Sequence, residues 1–143
     1  MRLSCQKRQA IGNLLNCLAR PHSVEPSLSD AGRPQNALAE IELVRFDGAR
    51  MNLDAIAYHA LGREKESDAA LSEFISKSHT SMAYQIAEVY AFRNQSDKAF
   101  EWLDRAYAQR DAGLISTKVN PLLKNLHNDP RFAALLKKLN LAA

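Results

Sequence analysis

The chain has 143 residues, one domain's worth, and 46% of them are hydrophobic, so there is material for a real core. Gly and Pro number five each and aromatics reach only 7%, a mix that disfavours a β-sandwich and favours helices rich in Ala and Leu. The formal charge of +3 gathers at the two ends, where Arg2, Lys7, Arg8 and Arg20 face no acid and Asp129 alone opposes Lys118, Lys124, Arg131, Lys137 and Lys138. That excess is a solvated face before it is a nucleic-acid or membrane footprint. No apolar stretch reaches the ~20 residues a membrane span needs. The start is not read as a signal peptide, because Gly12, Asn13 and Asn16 interrupt its apolar run. Cys5 and Cys17 form neither a CxxC pair nor a zinc-ligand set, so free thiols in a reducing, cytoplasmic setting are expected.

In chain order, Ile11, Leu14, Leu15 and Leu18 fall at helical spacing within residues 3–19. A proline-containing break follows at Arg20–Ser27, and residues 1–30 remain a poorly defined helix and loop. Pro34 opens a helix carrying Ala37, Leu38, Ile41 and Val44, in a first-turn position where its missing N–H is not needed. Asp47-Gly48 is read as a turn. A second helix runs from about Asn52, with Leu53, Ile56, Ala57, Ala60 and Leu61 apolar, and Gly62 closes it. A third spans about Glu64 to Lys77 and buries Ala70, Leu71, Phe74 and Ile75. Thr80 or Ser81 is expected to cap a fourth, which carries Met82, Ala83, Ile86, Ala87, Val89 and Tyr90. After the turn Arg93–Ser96 a fifth begins near Asp97 with Ala99, Phe100, Leu103, Ala106 and Tyr107. Residues 111–119 read as a loop or a short helical turn. Asn120-Pro121 and Asp129-Pro130 are two cap-then-proline starts, for a short helix to Leu126 and a last one to Leu139. Breaks this short force neighbouring helices to pack antiparallel.

Self-similarity is the most specific signal. Residues 83–90 read A-x-x-I-A-x-x-Y, and Ala99, Leu103 and Ala106 follow at fixed offsets. This resembles the tetratricopeptide repeat (TPR), in which small residues mark the crossing of two helices and bulky ones fill the flanks. Ala83, Ile86, Ala87, Tyr90, Ala99, Leu103 and Ala106 take those packing places. Residues 52–77 look like a second copy and Gly32–Leu38 like part of a third. The turns Gly32-Arg33, Gly62-Arg63 and Asn94-Gln95 recur about thirty residues apart, against a norm of about thirty-four. The tail, from Lys118 to Phe132 and on to Leu135-Leu136, resembles the C-terminal end of bacterial repeat proteins that follow a regulator, cyclase or kinase module. The resemblance implies an all-α, short α-solenoid, with repeats over 31–110 and capping helices over 111–143.

It also implies a role in protein binding, with a peptide or partner helix as ligand and no cofactor. The groove would be lined by Asn52, His59 and Arg63 in one repeat and by Tyr84, Glu88 and Phe92 in the next. Ala55 and His59 stand where repeats that clamp chaperone tails carry a lysine and an asparagine, so that ligand is not expected. An alternative is a regulatory or dimerising part of a transcriptional-regulator or nucleotide-cyclase system, and a homo-oligomer is compatible with either. An enzyme is not expected, because no GxGxxG, P-loop, GxSxG or HExxH occurs and His22, His59, His79 and His127 form no close pair. Glu64, Glu66 and Asp68 read as a solvated face. Nucleic acid is disfavoured by Glu73, Glu101 and Asp104 on the helices that would enter a groove. Trp102 is expected between repeats rather than on a ligand.

Overall fold

The computed structural model describes residues 41–42 and 47–141. The helices expected over residues 3–19 and 34–44, and the third repeat copy, lie outside them, apart from Ile41, which is buried. Among the described residues the chain is all-helical: α1 (Asp47–Ala60), α2 (Glu64–Ser78), α3 (Ala83–Phe92), α4 (Ser96–Gln109), two short 3-10 helices η1 (Ala112–Ser116) and η2 (Pro121–Leu126), and α5 (Pro130–Lys138). None of these helices is long and apolar enough to cross a membrane.

Two expected boundaries are corrected. α1 begins at Asp47, not near Asn52, because Asp47 and Gly48 form its first turn rather than a separate one. An acid there meets the positive end of the helix dipole, and Gly48 is buried. The stretch after Asn120-Pro121 is helical but coils as a 3-10 helix, a form suited to six residues between two breaks. Both cap-then-proline starts hold. The Asn120 side chain accepts from the Leu122 N–H at 3.0 Å and that of Asp129 from the Arg131 N–H at 2.9 Å.

Four of the five α-helices described are closed by one repeated device. Gly62, at φ +72°, donates its N–H to the His59 carbonyl at 3.0 Å, while Arg63 donates to Tyr58 at 2.8 Å. Asn94 (φ 59°), Arg110 (φ 55°) and Asn140 (φ 56°) close α3, α4 and α5 in the same left-handed way. Each satisfies carbonyls that the helix leaves orphaned. Glycine and asparagine are the residues that enter this conformation most cheaply.

The three-residue links 61–63 and 93–95 fold α1 against α2 and α3 against α4. At the first crossing, Ser67 donates its hydroxyl to the Ala55 carbonyl at 2.5 Å. Ala55 and Ser67 are fully buried, as are Ala87 and Ala99, which stand 32 positions further on. Small side chains at both crossings let the backbones approach. Ala83, Ile86, Leu103 and Ala106 are likewise buried and Tyr90 is nearly so, in one core shared with Phe74, Leu123, Leu126, Phe132 and Leu135. Trp102 is 8% exposed and carries the Arg105 guanidinium 4.4 Å above its ring.

The second pair packs on the first through α3, which touches both α1 and α2. Arg93, at the end of α3, reaches back into α2. Its side chain is 4% exposed, pairs with Asp68 at 2.7 Å and donates to the Ser67 hydroxyl. Beyond α4, η2 lies along α3, and α5 runs beside α4 in the same direction. Arg131 binds Asp97 at 2.9 Å and Lys138 binds Asp104 at 3.4 Å, each across 34 residues of sequence. Both cations also cover aromatic rings of α4, Arg131 over Phe100 and Lys138 over Tyr107.

Candidate functional site

The six positions expected to line a groove lie on α1, on α3 and at the α1–α2 turn, and the fold brings them together in two groups. The first group is closed. Asn52 on α1 is 6% exposed and donates its amide Nδ2 to Glu88 Oε2 on α3 at 3.0 Å. From the start of η2, Asn120 Nδ2 donates to Glu88 Oε1 at 2.6 Å and to the Tyr84 hydroxyl at 3.0 Å. One carboxylate thus joins three elements. Glu88 keeps a partly exposed edge, but its carboxyl is ringed by protein, and this burial pushes it up to about 7. The two amide donors pull the other way, and the nearby Asp111 charge adds to the rise. Among the described residues no cation pairs with it.

Tyr84 is 2% exposed. Its ring lies beneath Gly113, where an added Cβ would stand 2.4 Å from Cδ1. Burial raises its hydroxyl to about 12. Its backbone N–H donates to Asp111 Oδ2 at 3.1 Å, so Asp111 caps α3 from 27 residues away. This corrects the expected cap: neither Thr80 nor Ser81 caps α3, which has no side-chain cap from its own strand of sequence. Asp111 also accepts from the Gly113 N–H at 2.9 Å through Oδ1, fixing the start of η1. Asn52 and Tyr84 are therefore buried and are not open groove positions, and η1 and η2 lie across Tyr84 on α3.

The second group is open. The Phe92 ring meets the His59 ring edge-on, with centroids 5.8 Å apart and planes at 78°. His59 Nδ1 lies 2.9 Å from Glu64, and Arg63 binds Glu66 while its guanidinium covers Tyr58 at 4.8 Å. The acidic cluster read as a solvated face is thus engaged residue by residue: Glu64 with His59, Glu66 with Arg63 and Asp68 with Arg93. Next to Phe92, Asn125 donates to the Ala91 carbonyl at 3.2 Å.

Compared with known proteins, the chain matches no family model, no curated protein and no solved structure. The sequence reading missed Asn120, Asn125 and Asp111 as parts of this site. Asn120 was legible as a helix cap, a role it fills with Oδ1. Its Nδ2 is left free to reach Glu88 and Tyr84, and no local pattern signals that second role.

Proposed function

We propose that this chain is a helical-repeat protein of tetratricopeptide type that holds a peptide or a partner helix along the strip formed by Phe92, His59 and Arg63. α1, α3 and the η1–η2 segment are the first elements of three successive layers, and α2, α4 and α5 are the second elements. In a stack of such layers the first elements line the concave side. The observation that carries this reading is the chain of contacts Asn52–Glu88–Asn120, which links the three first elements. The recurrence of the left-handed helix end at Gly62 and Asn94 supports it. So does the 34-residue offset of the pairs that dock α5 on α4.

The open end of the strip offers two aromatic rings, a histidine and an arginine beside the fixed layers. That set suits an extended segment, whose backbone meets donors and acceptors while its side chains meet ring faces. The test is affinity capture from the source cell with Phe92→Ala and Arg63→Ala, beside Lys65→Ala on the outer face of α2. Partners should be lost with the first two variants and kept with the third. If Phe92→Ala and Arg63→Ala retain every partner, the strip is not the binding face. Tyr84→Ala is unsuitable for this purpose, since Tyr84 is core.

A further inference from the structure

Glu88 occupies an odd place. Thirty-two positions earlier, the same register in the first layer holds Ile56, which is fully buried. An apolar residue satisfies the packing there, yet the second layer puts an acid at that position. Among the described residues its hydrogen-bond donors are the amides of Asn52 and Asn120, both neutral, at 3.0 and 2.6 Å. A carboxylate ringed by protein with no cation is costly, and the usual resolution is to take up a proton.

Among the described residues the groups that face it are few. α3 itself presents the Tyr84 hydroxyl, α1 presents the Asn52 amide, η2 presents the Asn120 amide, and the turn before η1 presents the Asp111 carboxylate. A second observation fits the protonated form. Asn52 Oδ1 is buried and has no donor. A half-turn of the Asn52 amide would place that oxygen beside Glu88 Oε2, where a neutral carboxyl donates O–H to it.

What sits on Glu88 is the chain's own C-terminal segment. Asn120, Gly113 and Asp111 hold η1 and η2 against α3. We propose that Glu88, gripped by Asn52 and Asn120, is a proton-operated clasp that keeps residues 111–126 over the α3 end of the binding strip. Uptake of one proton seats the segment, and its loss lets water back to the carboxylate and loosens the segment. The clasp regulates the strip assigned above and rests on that reading for its purpose, though not for its physics. The sign follows from linkage. Lifting the segment rehydrates Glu88 and returns its carboxyl towards the ordinary range near 4.5 from about 7. The seated form therefore binds the proton more tightly, and seating weakens as pH rises between those values.

The experiment is amide hydrogen exchange on the full chain without partner, from pH 5 to pH 8, read as protection factors. In the unaltered protein the Leu122 and Leu123 amides of η2 should lose on the order of a hundredfold protection across that range, relative to mid-helix amides of α4. In Glu88→Gln the η2 protection should stay flat. Constant η2 protection in the unaltered protein, or the same decline in Glu88→Gln, overturns the clasp. If Glu88→Gln does not fold, as read by circular dichroism, Asn120→Ala decides. It should lower η2 protection at every pH, because the Oδ1 cap is lost, while the Leu123 amide keeps its decline with pH, because the lost Nδ2 donor favoured the charged carboxyl; a Leu123 protection that no longer falls with pH overturns the proposal. No partner enters this measurement. Failure here leaves the groove reading intact, and retention of partners by Phe92→Ala and Arg63→Ala sinks the groove while leaving the clasp.

Discussion

Gly113→Ala tests how firmly the C-terminal segment is wedged on α3. The added Cβ would lie 2.4 Å from Tyr84 Cδ1, 2.8 Å from Cγ and 3.1 Å from Cβ. Tyr84 has little room to yield: it is 2% exposed, its hydroxyl accepts from Asn120, and its backbone N–H is bound by Asp111. Something must move, and η1 is the less constrained partner. Overpacking of this kind costs about 1–3 kcal/mol. Against it stands the entropy that alanine removes from the unfolded chain, about 0.4–1 kcal/mol, because Gly113 does not use a positive φ. The net expectation is a loss of about 1–2 kcal/mol, read as a lower urea midpoint at unchanged m. In a Tyr84→Ala background the obstructing Cγ and Cδ1 are gone, so the same substitution should cost much less. Measuring all four proteins gives the coupling directly. If Gly113→Ala costs the same in both backgrounds, or nothing in either, the wedge is not where stability is held.

Three further outcomes follow from the fold. Gly62→Asn should cost under about 1 kcal/mol, since Asn94 already serves the equivalent turn at φ 59°, whereas Gly62→Val should cost clearly more because a β-branched residue resists that conformation; thermal midpoints separate the two. Ser67→Ala should destabilise by about 1–3 kcal/mol in urea titration, because it removes an acceptor for the buried Arg93 and a donor to Ala55. Stability of the whole chain should fall as pH rises from about 5 to about 7, because folded Glu88 holds its proton up to about 7 while the unfolded carboxyl releases it near 4.5. The native state binds more protons in that window, the loss approaches about 3 kcal/mol at most, and it levels off above pH 7. Glu88→Gln should abolish that slope in urea titrations run at pH 5, 6, 7 and 8.

Much of the helical layout was written locally. Period, caps and breaks gave α2 and α4 to within a few residues, and Asn120-Pro121 and Asp129-Pro130 opened the elements they announced. The packing set from Ala83 to Ala106 was legible because small residues at a crossing leave a fixed spacing. What escaped is non-local. Asp47-Gly48 reads as a turn in isolation, yet it forms the first turn of α1. The cap of α3 comes from Asp111, whose local role is to start η1, so no window around Thr80 could reveal it. Asn52 and Tyr84 fall on the face that the family resemblance assigns to a groove. Whether that face is open depends on where residues 111–126 go, and those residues carry no long periodic signal. His59, Phe92 and Arg63, which the resemblance assigns to the same face, keep exposed surface.

The contrast between Ile56 and Glu88 bears on what the acid contributes. A buried ionisable group seldom adds net stability over an apolar one, and its best-attested use is to fix register. Here the carboxyl meets both amides only when α1, α3 and η2 stand in one alignment. A slide of η2 along α3 by one turn would strand Glu88 without Asn120 and expose Tyr84. Leucine at this position would pack on the neighbouring apolar side chains in several alignments, although it leaves two amides unpaired at roughly 1–3 kcal/mol each. Two signatures therefore separate the roles. If Glu88 fixes register, Glu88→Leu should split or broaden the NMR resonances of residues 111–126 while those of α1 and α2 stay single. If Glu88 serves only as a hydrogen-bond acceptor, Glu88→Leu should lower the thermal midpoint and leave one sharp set of resonances throughout. The second pattern would refute the register role.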